Sequence, residues 1–185
     1  MSWIHEVPED TAEGEIAALY GTLRETRGKV SNILKVHSLR PAALQHHLDL
    51  YMGLLFAPGG LSRAEREMVA VVVSRANGCD YCVEHHLEAL RRYLRDESQL
   101  ALVAADFRKA DLKPRQRAML DYAQALTLQP ASIQQHDIED LRSHGLADAD
   151  ILLLNLIVAY FNFVNRIALG LGVHFDPEEV GGYKV

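Results

Sequence analysis

Residues 62–86 read SRAEREMVAVVVSRANGCDYCVEHH, and this stretch carries the clearest helix signals of the chain. Ser62 followed by Glu65 is the capping-box pattern that begins a helix. Apolar residues with helical spacing come next, and the pair Asn77-Gly78 is typical of a helix end. We expect a second helix to begin directly after that pair. The stretch therefore predicts two antiparallel helices joined by a tight turn.

Helical periodicity also dominates the rest of the chain, and strand signals are nearly absent. The expected helices cover residues 10–28, 32–37, 42–56, 62–77, 79–95, 97–107, 114–128, 137–144 and 148–169. The gaps between them are short, and 185 residues fit one domain with a hydrophobic core of its own. We therefore expect an all-α bundle that forms a single domain over residues 1–185.

A weak internal repeat relates two parts of the chain at an offset of 85 residues. Residues 61–65 (LSRAE) resemble residues 146–150 (LADAD), and continuing the offset pairs Asn77 with Asn162. One interpretation is two related helical hairpins, of which only one carries reactive groups. The other is a chance likeness between two amphipathic helices with similar caps.

The composition is that of an ordinary globular protein, with 49% apolar and 24% charged residues and a net charge of -6. It contains no basic stripe, so we expect no nucleic-acid partner. The first residues lack the basic and apolar regions of a signal peptide. The longest apolar stretch, residues 151–161, is interrupted by Asn155 and is too short to span a bilayer. We therefore expect a cytoplasmic protein without a membrane partner.

The expected cytoplasmic location affects how the cysteines are interpreted. Cys79 and Cys82 are the only two cysteines, and they form one Cys-x-x-Cys. Structural disulfides are rare in a reducing cytosol, so the pair indicates redox chemistry or a metal site. A helix that begins at Cys79 places both sulfurs in its first turn, where unpaired amides and the helix dipole favour the thiolate. Only the thiolate is a nucleophile, so this position activates the pair.

Two proton-handling residues have the spacing to join the cysteines. His86 follows Cys82 by four residues and so lies on the same helix face. Glu67 is about ten residues before the turn and His86 about eight after it, so the two side chains sit at similar heights. A carboxylate there can orient the imidazole and raise its basicity. The sequence therefore predicts a site of Glu67, Cys79, Cys82 and His86 within a redox-motif core of about residues 42–107.

The spacing Glu67-x11-Cys79-x2-Cys82-x3-His86 resembles the active-site signature of the AhpD-like alkylhydroperoxidases, within the carboxymuconolactone decarboxylase superfamily. Three further segments resemble the peroxidase-related branch of that superfamily, namely residues 30–34 (VSNIL), 39–41 (LRP) and 163–166 (FVNR). The resemblance covers essentially the whole chain. It implies an AhpD-like helical bundle that assembles into homo-oligomers.

The resemblance also implies peroxide reduction without a cofactor or a metal. Cys82, the cysteine nearer His86, would attack the peroxide oxygen and become a sulfenic acid. Cys79 would resolve it as a disulfide, and a dithiol electron donor, such as a lipoyl- or thioredoxin-like protein, would restore both thiols. Glu67 and His86 would relay the proton.

Position 81 departs from the family pattern. The better-studied members place a second His between the two cysteines, and here that residue is Tyr81. A phenol with a pKa of about 10 cannot replace an imidazole as a base at neutral pH. Tyr81 is therefore an auxiliary candidate, either as a proton donor or as a wall of the pocket.

Other interpretations of these residues stay open. Glu67, Cys79, Cys82 and His86 could instead supply the four ligands of a zinc ion, or the thiols could be buried and inert. A redox sensor or disulfide-exchange module would use the dithiol as a switch without efficient peroxide turnover. A decarboxylase of the wider superfamily would not depend on the cysteine pair.

One polar pair interrupts the last long helix. Asn165 and Arg166 follow a run of apolar residues and could face the active site or an interface. We favour a structural ion pair for them over either of those roles.

Overall fold

The computed structural model describes residues 2–183, and every regular element among them is helical. The α-helices follow in the order α1 (Gly14–Arg27), α2 (Asn32–Lys35), α3 (Pro41–Phe56), α4 (Arg63–Ala76), α5 (Asp80–Arg91), α6 (Glu97–Asp106), α7 (Pro114–Leu128), α8 (Gln135–Ser143), α9 (Asp148–Gly170) and α10 (Pro177–Val180). Short 3-10 turns lie at Phe107–Lys109 and Pro130–Ser132. The predicted all-α class is confirmed.

The chain divides into two compact units. One consists of Met1–Met52 with Arg166–Val185, and the other of Gly53–Asn165. The expectation of a single domain over residues 1–185 stays a prediction, and residues 1, 184 and 185 lie outside the described part of the chain.

In the first unit, α1 supplies half of a small apolar core. The buried members of that core are Ile16, Tyr20, Leu23, Val30, Leu34 and Leu44. The Tyr20 hydroxyl donates a hydrogen bond to the Val7 carbonyl at 3.1 Å, which ties the N-terminal segment to the core.

The start of α1 differs from the sequence prediction. The helix begins at Gly14, and residues 9–11 form a turn where the prediction placed its first residues. Glu9 in that turn pairs with Arg24 and Lys35, at 3.0 and 2.7 Å. These ion pairs hold the segment against side chains far along the chain, which a local helix pattern does not register.

The second unit is built around α4, which packs against α5, α6 and α7. Nine consecutive residues of α4, from Arg66 to Ser74, are buried. A helix with a single apolar face leaves its opposite face in solvent, so α4 is enclosed by protein on every side. A polar residue in that span, such as Glu67, is therefore held in the interior.

The predicted capping box at the start of α4 is confirmed. The Ser62 amide donates to the Glu65 carboxylate at 2.7 Å, and the Glu65 amide donates to Ser62 Oγ at 3.3 Å. After α4 the chain reverses at Gly78, whose φ of +70° is a backbone angle that other residues rarely adopt. This turn leads directly into α5.

The end of α5 is also corrected by the structure. The helix stops at Arg91, four residues before the predicted end. The Asp96 carboxylate caps α6 by accepting hydrogen bonds from the Ser98 and Gln99 amides, at 2.9 and 3.2 Å. An N-cap residue has an extended backbone, so α5 cannot run on into α6.

The 23-residue helix α9 contains the apolar stretch that the sequence marked as too short for a bilayer. Within the described part of the chain, it is the one helix long and apolar enough to cross a membrane by length and composition. Half of its most apolar window is buried inside the protein. A single helix of this kind is weak evidence for a membrane span, because core helices have the same composition.

Candidate active site

The Glu67 carboxylate lies in the interior of the second unit between two basic side chains. His86 Nδ1 lies 2.6 Å from Glu67 Oε2, and the Arg63 guanidinium pairs with Glu67 Oε1. Burial alone raises the pKa of this carboxyl group. The charges and hydrogen bonds of His86 and Arg63 outweigh burial and hold the pKa below its ordinary value. Glu67 is therefore a fixed negative charge inside the protein.

The bond to Glu67 orients the His86 ring. A carboxylate only accepts hydrogen bonds, so Nδ1 carries the proton and Nε2 of the neutral ring is the acceptor. The Phe161 ring stands edge-on to the imidazole, with centroids 4.6 Å apart, and restricts its rotation. Because His86 is one helical turn beyond Cys82, this basic nitrogen belongs to the helix face that carries the cysteine.

Arg63 also belongs to the site, although it was not among the predicted site residues. Besides Glu67, its guanidinium donates to the Leu55 carbonyl at 2.8 Å and lies 3.7 Å from the centre of the Phe56 ring. The spacing of Arg63 and Glu67, four residues apart on a helix, is the one signal that could have found it. That spacing is common on solvated helix faces, and only the burial of Glu67 makes the pair distinctive.

The two cysteines occupy the start of α5. Cys79 is the N-cap residue, Cys82 lies in the first turn, and both are buried. The Cys79 amide donates to the Ser74 carbonyl at 2.9 Å, which fixes the turn before the helix. Both cysteines are free, and their Sγ atoms lie 2.9 Å apart. A disulfide joins sulfurs at about 2.05 Å, so a small movement is enough to close this pair.

The two sulfurs differ in their affinity for a proton. A hydrogen bond from the Cys82 thiol lowers the pKa of Cys79 in spite of burial. The same bond, with burial and the negative charge on Cys79, raises the pKa of Cys82 well above its ordinary value. Of the two thiols in the reduced pair, Cys79 therefore loses its proton more readily than Cys82.

Three hydrogen-bonded amide side chains lie at the turn before the cysteines, and that of Asn165 is buried. Asn77 Nδ2 donates to Asn165 Oδ1 at 2.9 Å and to Asn162 Oδ1 at 3.1 Å. Asn165 Nδ2 in turn donates to Ser74 Oγ at 3.0 Å. Asn165 therefore faces the cysteine turn, the neighbouring Arg166 is exposed, and the structural ion pair expected for these two positions stays a prediction. A polar residue in an otherwise apolar helix was the sequence signal for Asn165.

Tyr81 is buried between the two cysteines in sequence and stacks on a histidine. The rings of Tyr81 and His85 lie 4.1 Å apart, with their planes 24° from parallel. His85 Nδ1 also donates to the Tyr81 carbonyl at 2.6 Å. This packing suits a wall of the site, and a part for Tyr81 in proton transfer stays a prediction.

The four predicted site residues form two pairs. Glu67 bonds with His86, and the sulfurs of Cys79 and Cys82 contact each other. A zinc site needs four ligands around one point. Across residues 2–183, no group of three or more His, Cys, Asp or Glu side chains could hold a metal ion. The arrangement suits proton and thiol chemistry.

A helical fold with a Cys-x-x-Cys pair beside a Glu–His pair defines the AhpD-like class of proteins. Two crystal structures share this fold with the chain. An uncharacterized peroxidase-related protein from Silicibacter sp. TM1040 is 33% identical, with a TM-score of 0.89 covering 97% of this chain and 94% of its own. A peroxidase-related protein from Ralstonia eutropha JMP134, described as an alkylhydroperoxidase AhpD core, is 32% identical, with a TM-score of 0.88 and the same coverage.

The sequence comparisons agree with the structural ones. Residues 41–125 match the carboxymuconolactone decarboxylase family and include the predicted redox-motif core. The uncharacterized protein YdfG of Bacillus subtilis (strain 168) is 25% identical over 144 residues, which are 77% of this chain and 96% of YdfG. The chain belongs to the carboxymuconolactone decarboxylase family, in its AhpD-like part.

Proposed function

We propose that the protein is a thiol-dependent peroxidase that reduces peroxides through a dithiol–disulfide cycle of Cys79 and Cys82. The observation that carries this proposal is the 2.9 Å approach of two free sulfurs at the start of α5. The hydrogen-bonded pair of the buried Glu67 on α4 and His86 on α5 supports the proposal, because peroxide cleavage needs a proton donor. The peroxidase-related names of the two structural relatives agree with this chemistry.

In the first step, the Cys82 sulfur attacks the outer oxygen of the peroxide. The Cys82 proton passes to His86 Nε2, an S–O bond forms, and the O–O bond breaks. The leaving alkoxide takes the proton from His86 and departs as an alcohol, or as water when the substrate is hydrogen peroxide. Cys82 is left as a sulfenic acid, oxidised by two electrons.

In the second step, the Cys79 thiolate attacks the Cys82 sulfur and forms the disulfide. Hydroxide leaves and is protonated to water. The lowered pKa of Cys79 in the reduced pair favours the thiolate that this step needs. The raised pKa of Cys82 makes a base necessary for the first step, which is the role proposed for His86.

In the last step, a dithiol donor reduces the disulfide by thiol–disulfide exchange, and no cofactor takes part. A lipoyl- or thioredoxin-like protein would supply this dithiol. The full cycle converts a peroxide and a dithiol into an alcohol, water and a disulfide.

The test is a peroxide-consumption assay with tert-butyl hydroperoxide and dihydrolipoamide. We expect turnover by the wild type and none by Cys82→Ser. Cys79→Ser should accumulate a sulfenic acid on Cys82, detected by mass spectrometry after trapping with dimedone. Ser98→Ala, an exposed change on α6, is the matched control and should keep full activity.

Each other outcome assigns a different role. Full activity of Cys82→Ser would overturn the proposal. A sulfenic acid trapped on Cys79 in the Cys82→Ser variant, together with none on Cys82 in the Cys79→Ser variant, would exchange the roles of the two cysteines. A single oxidation without turnover would indicate a redox sensor or disulfide-exchange module. Conversion of a lactone or a carboxylic acid by the Cys82→Ser variant would indicate a decarboxylase.

A further inference from the structure

We propose that Asn165 is the hydrogen-bond donor that stabilises the thiolate of the Cys79–Cys82 pair, and that Asn77 is the positioning residue that directs its amide. This inference rests on the proposed use of the pair as a reactive dithiol. It gives a chemical role to a polar residue in the apolar helix α9 that the peroxidase steps do not use.

The hydrogen bonds of Asn165 determine which way its amide points. The side chain is fully buried, its Oδ1 accepts from Asn77 Nδ2 at 2.9 Å, and its Nδ2 donates to Ser74 Oγ at 3.0 Å. An amide oxygen only accepts and an amide nitrogen only donates. With the oxygen committed to Asn77, the nitrogen is the group on the side of Ser74.

Asn77 itself is held in place by a second amide. Its Nδ2 also donates to Asn162 Oδ1 at 3.1 Å. Asn162 Nδ2 then donates to Thr127 Oγ1 on α7 at 3.1 Å and to the Val158 carbonyl at 3.0 Å. The direction of each amide is therefore determined by the next, from α7 through α9 to the cysteine turn.

Asn165 Nδ2 and the Cys79 amide both donate to Ser74, which places the Asn165 amide at the cysteine turn. Hydrogen bonding from this side chain lowers the pKa of Cys79 and opposes the rise of the pKa of Cys82. A donor of this kind favours a thiolate, because the charged sulfur is the stronger acceptor. The Ser74 hydroxyl acts on Cys82 in the same direction. The negative charge of Asp80 raises the pKa of Cys79 and works against them.

Other charges near the turn are already paired. Asp80 contacts Arg75 at 3.3 Å, and Glu67 is bound by Arg63 and His86. Arg75 and Arg63 are therefore bound to carboxylates, and Asn165 supplies a neutral donor at the cysteine turn. A neutral donor stabilises the thiolate without adding a buried charge that would itself need a partner.

Asn165→Asp is the sharpest test because it keeps the shape and replaces the NH2 donor by an acceptor. The readout is the rate of cysteine alkylation by iodoacetamide against pH, together with the thiolate absorbance at 240 nm. We expect the apparent thiol pKa to rise by at least one unit, which slows alkylation at neutral pH about tenfold. Asn155→Asp, on the same helix and bonded to the Tyr122 hydroxyl, is the matched control and should titrate as the wild type.

Asn77→Ala tests the positioning role without touching the sulfurs. We expect an upward shift of the alkylation profile that is smaller than that of Asn165→Asp, because the amide loses its fixed direction and keeps its donor. Circular dichroism shows whether each variant is folded. A folded Asn165→Asp with a wild-type profile would overturn the inference. If Asn165→Asp does not fold, a wild-type profile of Asn77→Ala overturns it instead.

The alkylation assay needs no peroxide, so the two proposals fail separately. A wild type that consumes no peroxide, together with a shifted profile of Asn165→Asp, would refute the peroxidase and leave the inference standing. A wild type that consumes peroxide, together with an unshifted profile, would refute only the inference.

Discussion

The buried charge of Glu67 depends on single contacts with Arg63 and His86, which makes it the residue whose replacement has the clearest consequence. A carboxyl group whose pKa is lowered by folding stabilises the protein above its unfolded pKa. The stabilisation is lost as the pH falls through the folded pKa. The charge of Glu67 thus contributes to stability at neutral pH and progressively less below the ordinary value of 4.5.

We therefore expect Glu67→Gln to lower the free energy of unfolding at pH 7 by about 3 kcal/mol, because it leaves the Arg63 guanidinium and the His86 ring without their buried carboxylate partner. Urea unfolding at neutral and acidic pH measures the effect, and the gap to the wild type should narrow in acid. Glu88→Gln removes an exposed carboxylate on α5 and should change stability by less than about 0.5 kcal/mol. A gap that stays constant with pH would contradict the expectation.

For single residues, the sequence predicted which side chains of the α4–α5 hairpin come together. Glu67, Cys79, Cys82 and His86 lie on two helices joined by a single turn, so helical spacing alone brings them together. Asn165 comes from α9, and no local pattern states which face of α9 meets the cysteine turn. That choice depends on how distant helices pack, which spacing along the chain does not encode.

Among the helices, the turn between α4 and α5 is the element that places the cysteines. Gly78 has φ of +70°, and a Cβ there would meet no atom within 4 Å. Gly78→Ala should therefore cost about 1 to 2 kcal/mol from backbone strain alone, without a clash.

Gly21 is the matched control because it lies inside α1 with equally open space around it. Gly21→Ala should instead stabilise the protein by about 0.5–1 kcal/mol, since alanine has the higher helix propensity. Thermal unfolding of both variants measures the difference. Changes of the same sign in the two variants would contradict the assignment of strain to Gly78.

Helix ends were the least predictable part of the fold. The predicted capping box of Ser62 and Glu65 is confirmed, because both partners lie within four residues of each other. The predicted start of α1 and the predicted end of α5 were wrong; Glu9 pairs with Lys35 in a turn before α1, and α5 ends at Arg91, before Asp96 caps α6. The bond between Asn77 and Asn162 joins two residues that the 85-residue repeat pairs, and both interpretations of that repeat stay predictions.

For the whole molecule, the family resemblance leads us to expect a homo-oligomer. Leu152 and Leu156 lie one turn apart on α9 and are 60% and 42% exposed, so this helix face is where we expect the contact between copies. Light scattering should give a mass that is a multiple of 20.7 kDa. Leu156→Glu should lower that mass, whereas Leu128→Glu at the exposed end of α7 should not. A monomeric wild type would contradict the expectation.

The burial of the two sulfurs also affects the proposed cycle as a whole. Cys79 and Cys82 are only 1% and 3% exposed. We expect a small hydroperoxide to need less side-chain movement to reach them than a protein dithiol, which must bring its own sulfur into bonding distance and therefore needs a local opening. The free energy of that opening adds to the barrier for reduction of the disulfide by the dithiol, and not to the barrier for the reaction with peroxide. The enzyme should therefore rest mainly in its disulfide form during turnover, and its regeneration should have the steeper temperature dependence.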